Sequence, residues 1–247
     1  MTILPISDPA TLDLATDVIH QRPILVQFPS VFVLLAAPTS KGASQLDATK
    51  ERLSGKNYGT AIGSLEQFIT QAQPGTLPHE FTRCEHFTAL TGSFIRLQFD
   101  QETFQSKTIR NGTHQGLLLD GIYGRMFRRI EESFAASSSE GMWNHRDYCA
   151  PLCTSCNLSG DPEGSITDYD KAYCFAKTRG IDLFITATQL TGEKGSYPIF
   201  GFESGKVTIH REGPGLDAFK GRIPPRLRSW EQTYSQSMQK TLIDSRR

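Results

Sequence analysis

The sequence lacks the features that would place it in a nucleic-acid-binding, membrane or secreted class. Lysine plus arginine number 26 and aspartate plus glutamate also number 26, so no net charge attracts nucleic acid or a membrane surface. No apolar run is long enough to cross a bilayer, and the first nine residues have neither the basic segment nor the apolar run of a signal peptide. Any anion-binding site must therefore be a local cluster of basic side chains.

Cysteine is also scarce. Five cysteines in 247 residues are an odd number and too sparse for a disulfide scaffold. We therefore expect reduced thiols, a cytoplasmic protein and no membrane partner. The length allows one large domain or two small ones, and a hydrophobic content of 38% with a charged content of 21% is ordinary for a soluble globular chain.

Predicted strands and helices alternate along the chain, which indicates an α/β protein. Asp8-Pro9 is typical of a capped helix start, and Ser64 with Gln67 resembles a capping box. The apolar run 24–37 predicts a buried strand, a kink at Pro29-Ser30 and a second buried segment. Further helices are predicted over 44–53, 122–134 and 168–178, and further strands at 58–62, 94–99, 117–119, 183–186, 199–202 and 206–210. We expect one domain over 1–225 and, over 226–247, an amphipathic helix or tail with Leu227, Trp230, Tyr234 and Met238 on its apolar face.

The segment 150–160 carries the clearest candidate site. A short run of small and apolar residues leads into Thr154, Ser155, Asn157 and Ser159, and Gly160 with Asp161-Pro162 turns the chain. A buried strand that ends in these side chains would point several donors and acceptors at one place, and open α/β sheets bind ligands at strand ends. The alternative is a polar turn without a function.

The same segment carries a competing metal signal. Cys149, Cys153 and Cys156 have a spacing that thiolates use to hold an iron–sulfur cluster, and His145 could complete a zinc site. An extended strand end would spread these cysteines apart rather than converge them. We therefore predict no tightly bound metal.

Taken in order, the sequence pieces resemble the YrdC-like family, whose best-known members are threonylcarbamoyl-AMP synthases. Ser155 and Asn157 match the family's serine-x-asparagine pair, and Lys50-Glu51-Arg52 matches its lysine-x-arginine signature. Pro29 matches the proline after the first strand, and Arg211-Glu212-Gly213 matches the late arginine with its glycine turn. The resemblance spans roughly residues 10–215 in colinear order. It implies a twisted mixed sheet flanked by helices, with an open concave cavity.

The resemblance also implies a function. Family members use ATP to join threonine and bicarbonate into a threonylcarbamoyl adenylate, which implies ATP and Mg²⁺ as cofactors and a small amine or amino acid as substrate. It implies nucleotide or anion binding by seven residues and a substrate pocket formed by three. The first set is Lys50, Arg52, Lys56, Thr154, Ser155, Asn157 and Arg211, and the second is Pro29, Ser30 and Phe32. For Lys50 and Arg52 the alternative is a solvated helix face.

Departures from the family pattern predict altered chemistry. Phe32 stands where the family has threonine, Leu34-Leu35 replace an aromatic-glycine pair, and Leu118 replaces an arginine of the middle strand. We expect a more apolar pocket that handles threonine poorly. Three functions stay open: an ATP-dependent enzyme that forms or transfers a carbamoyl or carboxyl group, a non-catalytic RNA- or nucleotide-binding relative, and a specialised-metabolism enzyme with Cys153 or Cys156 newly reactive.

Overall fold

The computed structural model describes residues 1–99, 106–137, 141–144, 148–187 and 192–230. Within these ranges eleven strands form one mixed sheet, and seven complete α-helices pack on it. The strands are β1 (Thr2–Pro5), β2 (Ile24–Gln27), β3 (Phe32–Ala36), β4 (Gly59–Ala61), β5 (Ser93–Gln98), β6 (Ile109–Arg110), β7 (Thr113–Leu118), β8 (Leu152–Ser155), β9 (Leu183–Thr186), β10 (Ile199–Glu203) and β11 (Lys206–Arg211). The helices are α1 (Pro9–Ile19), α2 (Ser40–Lys50), α3 (Leu65–Ile69), α4 (Cys84–Thr88), α5 (Gly121–Ala136), α6 (Tyr169–Thr178) and α7 (Leu216–Arg222).

The strand order is β1-β9-β2-β3-β8-β4-β7-β5-β10-β11, and β6 pairs only with β7. Four pairs are parallel, β1/β9, β9/β2, β4/β7 and β5/β10, and the other pairs are antiparallel. This mixed sheet flanked by helices confirms the predicted α/β fold class.

Apolar clusters lie on both faces of the sheet. On one face α1 and α5 cover a cluster that includes Val33 and Leu35 of β3. On the other face α2 and α6 cover a cluster that includes Phe32 and Leu34 of the same strand. Because alternate residues of a strand point to opposite faces, β3 is buried on both sides. A third cluster joins α3, α4 and α7 to the half of the sheet that contains β5 and β10.

The twist of the sheet brings two distant segments together. The N–H of Gly195, in the segment before β10, donates to the carbonyl of Ser30 in the β2–β3 turn at 2.8 Å. Six strands, from β3 to β10 in sheet order, separate these two points and form a concave surface between them. The candidate site lies in this concavity.

Local sequence signals fix several element ends as predicted. The Asp8 carboxylate accepts from the Ala10 N–H at 2.9 Å, and the Ser64 hydroxyl accepts from the Gln67 N–H at 3.3 Å. The predicted kink at Pro29-Ser30 is instead a complete reversal, since β2 and β3 pair antiparallel with Gln27 opposite Phe32. Among the described residues, no helix combines the length and hydropathy needed to span a membrane.

Two predicted helices need correction or lie beyond the described ranges. Helix α2 begins at Ser40 rather than Ser44, because Thr39 accepts from the Gly42 N–H at 2.9 Å and so provides the cap. For the segment 226–247, Leu227 is buried in a 3₁₀ turn and Trp230 packs beside it, while residues 231–247, with Tyr234 and Met238, lie outside the described residues. The domain division at residue 225 stays a prediction.

The turn between β4 and α3 depends on a buried carboxylate. Glu131, which is 4% exposed, accepts the N–H groups of Gly63 and Ser64, both at 2.9 Å. The approach is so close that a Cβ on Gly63 would lie 2.8 Å from the carbonyl oxygen of Phe127. Burial, partly offset by these two hydrogen bonds, raises the pKa of Glu131 from 4.5 to about 7.

We expect Glu131 to make stability fall as pH rises from about 4.5 to about 7. Between these two pH values the Glu131 carboxyl is protonated in the folded chain and ionised in the unfolded chain. The stabilisation that this difference gives is therefore complete below pH 4.5 and lost above about pH 7. The shift corresponds to roughly 3 kcal/mol. The measurement is the unfolding free energy from urea unfolding at several pH values. Glu131→Gln should remove the fall between pH 4.5 and 7, whereas Glu132→Gln, a substitution of the exposed neighbouring residue, should preserve it. An unchanged slope in Glu131→Gln would contradict the assignment.

Candidate functional site

A cavity of about 160 Å³ lies over the middle of the sheet. Its wall is built by β3, β8, β4, β7 and β5 with the segments that precede β4 and β10 and the end of β11. The described lining residues are Val31, Val33, Arg52, Asn57, Gly59, Phe94, Gln115, Leu117, Cys153, Thr154, Ser155, Ser196, Tyr197 and Arg211. Two of them are arginines and none is a carboxylate, so the described wall is suited to an anion.

Arg52 is held rigidly at one side of the cavity. It follows Glu51, whose left-handed conformation (φ 46°) ends α2. Its guanidinium donates to the carbonyl of Asn57 at 2.5 Å and lies 3.5 Å from the Thr154 hydroxyl. The side chain is 9% exposed, and burial lowers the pKa of Arg52 from its usual high value without removing its charge.

Arg211 stands at the opposite, more exposed side. Its Nε and Nη2 both donate to the carbonyl of Tyr197, at 2.9 and 2.6 Å, and its guanidinium lies 5.5 Å from the ring centre of Phe94. Burial lowers the pKa of Arg211, and the nearby positive charge of Arg96 lowers it further. A bound anion would relieve this crowding of positive charge.

Lys50 lies under the cavity rather than in its wall. Its side chain is almost fully buried, at 2% exposed, and its ammonium donates to the carbonyls of Ser155 and Asn157, the latter at 2.7 Å, and to Asn157 Oδ1 at 3.2 Å. Burial, followed by the charge of Arg52, lowers the pKa of Lys50 to about 7, while the three oxygen acceptors favour the charged form. Lys50 thus fixes the end of β8 and adds positive charge behind it.

The predicted anion-binding residues therefore form two layers. Arg52, Thr154, Ser155 and Arg211 line the cavity, as the strand-end argument and the resemblance predicted. Asn157 faces Lys50 and accepts the Ser155 hydroxyl at 2.7 Å. Lys56 is exposed and lies outside the described cavity wall, with its ammonium 3.4 Å from the Ser159 hydroxyl. The binding roles of all these residues stay predictions.

The predicted substrate pocket needs a larger correction. Phe32 is fully buried on the face opposite the cavity, 5.8 Å from Phe184 between ring centres. Pro29 and Ser30 form the β2–β3 turn, and Val31 and Val33 supply the wall of the cavity. The prediction that Phe32 lines the pocket is wrong because β3 is apolar on both faces, so its sequence does not reveal which residues face which way.

Arg96 was missed by the sequence reasoning. It is paired with Gln115 across β5 and β7, and its Nη2 donates to Gln115 Oε1 at 2.7 Å. Leu118, the position matched to the family's arginine, packs in the third cluster on the opposite face. The sequence did offer a signal for Arg96, because an arginine in the half-buried strand 94–99 is rarely buried unless it has a partner or a function.

The cysteines are distributed over both faces of the sheet. Cys149 and Cys153 belong to the cluster under α1 and α5, and Cys156 belongs to the cluster under α2 and α6. Burial raises the pKa of each of these thiols to about 12, so they are protonated at neutral pH. Within the described part of the chain no group of three or more His, Cys, Asp or Glu residues could hold a metal. His145 lies outside that part.

Two larger and more open grooves lie elsewhere. One, of about 510 Å³, contains Glu66, Glu131, Glu132 and Arg128, and the other, of about 500 Å³, contains His79, His86, Arg83 and Arg222. Neither contains any of the predicted anion-binding or substrate-pocket residues, so the smaller cavity is the candidate site.

Comparison with known proteins supports the fold. No protein-family model matches the sequence, and no curated protein matches it. Among solved structures, E. coli YciO has a TM-score of 0.60 at 13% identity, over 88% of this chain and 97% of YciO. P. abyssi Sua5 complexed with L-threonine has a TM-score of 0.66 at 15% identity, over 92% of this chain and 62% of Sua5. Full-length HypF in its phosphate- and nucleotide-bound form has a TM-score of 0.59 at 15% identity, over 83% of this chain and 29% of HypF. The chain spans nearly all of YciO but less than two thirds of Sua5 and HypF, and it has the YrdC-like fold that the sequence resemblance predicted.

Proposed function

We propose that the cavity binds the phosphates of ATP, and that the protein uses ATP to form or transfer a carbamoyl or carboxyl group on a small amine or amino acid. The observation that carries this proposal is the convergence of Arg52, Arg211, Thr154 and Ser155 on one cavity from three separate parts of the sequence. Guanidinium groups pair with phosphate bidentately, and hydroxyl groups can donate to the remaining oxygens.

The ligands in two of the structural neighbours are consistent with this chemistry. The Sua5 structure contains L-threonine, and the HypF structure contains phosphate and nucleotide. Both neighbours are 15% identical to this chain, and their ligands support the proposal that the cavity binds a nucleotide and an amino acid.

The proposed reaction places defined demands on the cavity. The amine nitrogen attacks the carbon of bicarbonate; the new C–N bond replaces a C–O bond, and water leaves as the carbamate forms. A carbamate oxygen then attacks the α-phosphorus of ATP, and the new O–P bond replaces the bond to pyrophosphate, which leaves. Negative charge builds up on the phosphorus oxygens, where Arg52 and Arg211 would stabilise it. Val31, Val33 and Leu117 form an apolar part of the wall against which the body of the substrate would pack.

The cavity does not fit a resident Mg²⁺. Its described wall offers hydroxyl and amide oxygens but no carboxylate, and Mg²⁺ is usually held by one or two carboxylates together with phosphates and water. Any Mg²⁺ that the reaction needs would have to arrive with the nucleotide phosphates. No step above depends on it.

The test is adenylate formation measured with ATP labelled at the α-phosphate. The protein is incubated with bicarbonate and a panel of amines and amino acids that includes threonine and more apolar side chains. We expect an amine-dependent and bicarbonate-dependent labelled adduct together with release of pyrophosphate. Omission of bicarbonate and the double variant Arg52→Ala/Arg211→Ala should each abolish the adduct.

Two other results would reject this function. ATP binding without turnover for any amine would favour a non-catalytic nucleotide-binding relative. Binding of RNA in place of ATP would favour the RNA-binding alternative. The third alternative, a reactive cysteine, is disfavoured by the raised pKa values of Cys153 and Cys156.

A further inference from the structure

Arg52 contacts two side chains that do not themselves line the cavity, Tyr58 and Asp47. Its guanidinium lies 4.0 Å from the centre of the Tyr58 ring, a distance at which a cation is attracted to an aromatic face. Its Nε lies 4.0 Å from Asp47 Oδ1, one turn back in α2. Tyr58 is 2% exposed, so its ring forms a fixed surface behind Arg52.

Asp47 and Tyr58 are in turn fixed to each other and to a distant segment. The Tyr58 hydroxyl donates to Asp47 Oδ1 at 2.5 Å, and the ammonium of Lys107 donates to Asp47 Oδ2. The backbone N–H of Tyr58 donates to the carbonyl of Lys107 at 2.8 Å. Although burial alone would raise it, these hydrogen bonds lower the pKa of Asp47, so its carboxylate stays ionised.

The loop between Arg52 and Tyr58 is held by the same distant segment. Asn57, whose carbonyl accepts from Arg52, donates its side-chain amide to the carbonyl of Ile109 at the start of β6. The arginine is therefore held by α2 on one side and by residues 107–109 on the other. Long side chains lose conformational freedom when they bind a ligand, and an arginine that is already fixed loses less.

We propose that Tyr58 and Asp47 are positioning residues, which hold the Arg52 guanidinium in the orientation that binds an anion in the cavity. This inference rests on the proposed function, because it gives Arg52 the phosphate-binding role. Tyr58 supplies the aromatic face, and Asp47 supplies the negative charge that orients both Arg52 and the Tyr58 hydroxyl. Lys107 keeps Asp47 in place from the side of β6.

A double-mutant cycle on ATP binding tests the proposal. Calorimetric titration with ATP is carried out on the wild type, Tyr58→Leu, Arg52→Ala and the double variant, and urea unfolding confirms that each one is folded. Loss of the aromatic face should weaken ATP binding by about tenfold. Because Tyr58 acts through Arg52, the double variant should bind ATP no more weakly than Arg52→Ala alone. Tyr148→Phe is the matched control, since Tyr148 is 4% exposed and its hydroxyl contacts Thr60 away from the cavity.

A second pair of variants keeps the test decisive if Tyr58→Leu does not fold. Asp47→Asn, at a side chain that is 31% exposed, removes the charge and keeps the shape, and it should show the same non-additivity with Arg52→Ala. Additive losses in the cycle, or an unchanged ATP affinity in Tyr58→Leu or Asp47→Asn, would overturn the positioning role alone. An unchanged ATP affinity in Arg52→Ala would overturn the phosphate-binding role of Arg52 and the positioning role with it.

Discussion

Replacing Arg52 or Arg211 by alanine should weaken ATP binding by about tenfold to a hundredfold in each case. Each guanidinium lines the cavity, and a hydrogen bond to a charged group is worth about 1.5–3 kcal/mol. Lysine at either position keeps the charge but loses the planar pair of donors, so Arg52→Lys and Arg211→Lys should give intermediate affinities. The measurement is calorimetric titration with ATP at constant ionic strength.

A surface arginine provides the control for this prediction. Arg22 forms an exposed ion pair with Asp182, and Arg22→Ala should leave ATP affinity unchanged. Both cavity arginines also bind backbone carbonyls, so the unfolding free energy of each variant is measured beside its affinity. Equal ATP affinity in Arg22→Ala, Arg52→Ala and Arg211→Ala would exclude the cavity as the nucleotide site.

Replacing Phe32 should damage stability rather than substrate choice. The ring is fully buried between Tyr169 and Phe184, so Phe32→Ala should lower the unfolding free energy by about 3–5 kcal/mol. Phe32→Thr should cost at least as much, because it also buries a hydroxyl. ATP affinity should stay unchanged under conditions in which the variants are folded.

The comparison residue for Phe32 is its neighbour Val33. Val33 lines the cavity, so Val33→Thr changes the cavity wall with little change in volume and should alter the ranking of amine substrates. If Phe32→Thr changed that ranking with little loss of stability, the placement of Phe32 on the opposite face would be wrong. The prediction of poor threonine turnover is based on Phe32, Leu34 and Leu35, and these three residues lie outside the described cavity wall. Threonine turnover is therefore measured directly in the adenylate-formation assay.

The sequence predicted those parts of the fold that have a local cause. The capping side chains of Asp8 and Ser64 mark the starts of α1 and α3, and each accepts a backbone N–H as expected; Asp168 caps α6 in the same way. The strand end at Thr154 and Ser155 was predicted because polar side chains follow a buried run there. The strands predicted at 199–202 and 206–210 leave a short connection at 203–205, where Ser204 and Gly205 adopt positive φ values.

The parts that were mispredicted depend on tertiary contacts. Gly42 lies before the helix predicted over 44–53 but inside α2, where an added Cβ would approach the carbonyl carbon of Ala37 to 3.1 Å. Helix α7 follows a left-handed Gly215 and has no side-chain cap, so no local signal marks its start. The direction of Phe32 depends on which face of the sheet is covered by which helix. That information is not contained in a strand that is buried on both sides.

A crystal structure of the protein with bound ATP tests the central claim most directly. We predict density for phosphate groups within hydrogen-bonding distance of both Arg52 and Arg211, with the hydroxyl groups of Thr154 and Ser155 turned towards it. Density for the phosphates in the groove that contains His79 and Arg222, with the cavity between Arg52 and Arg211 filled by water alone, would contradict the account.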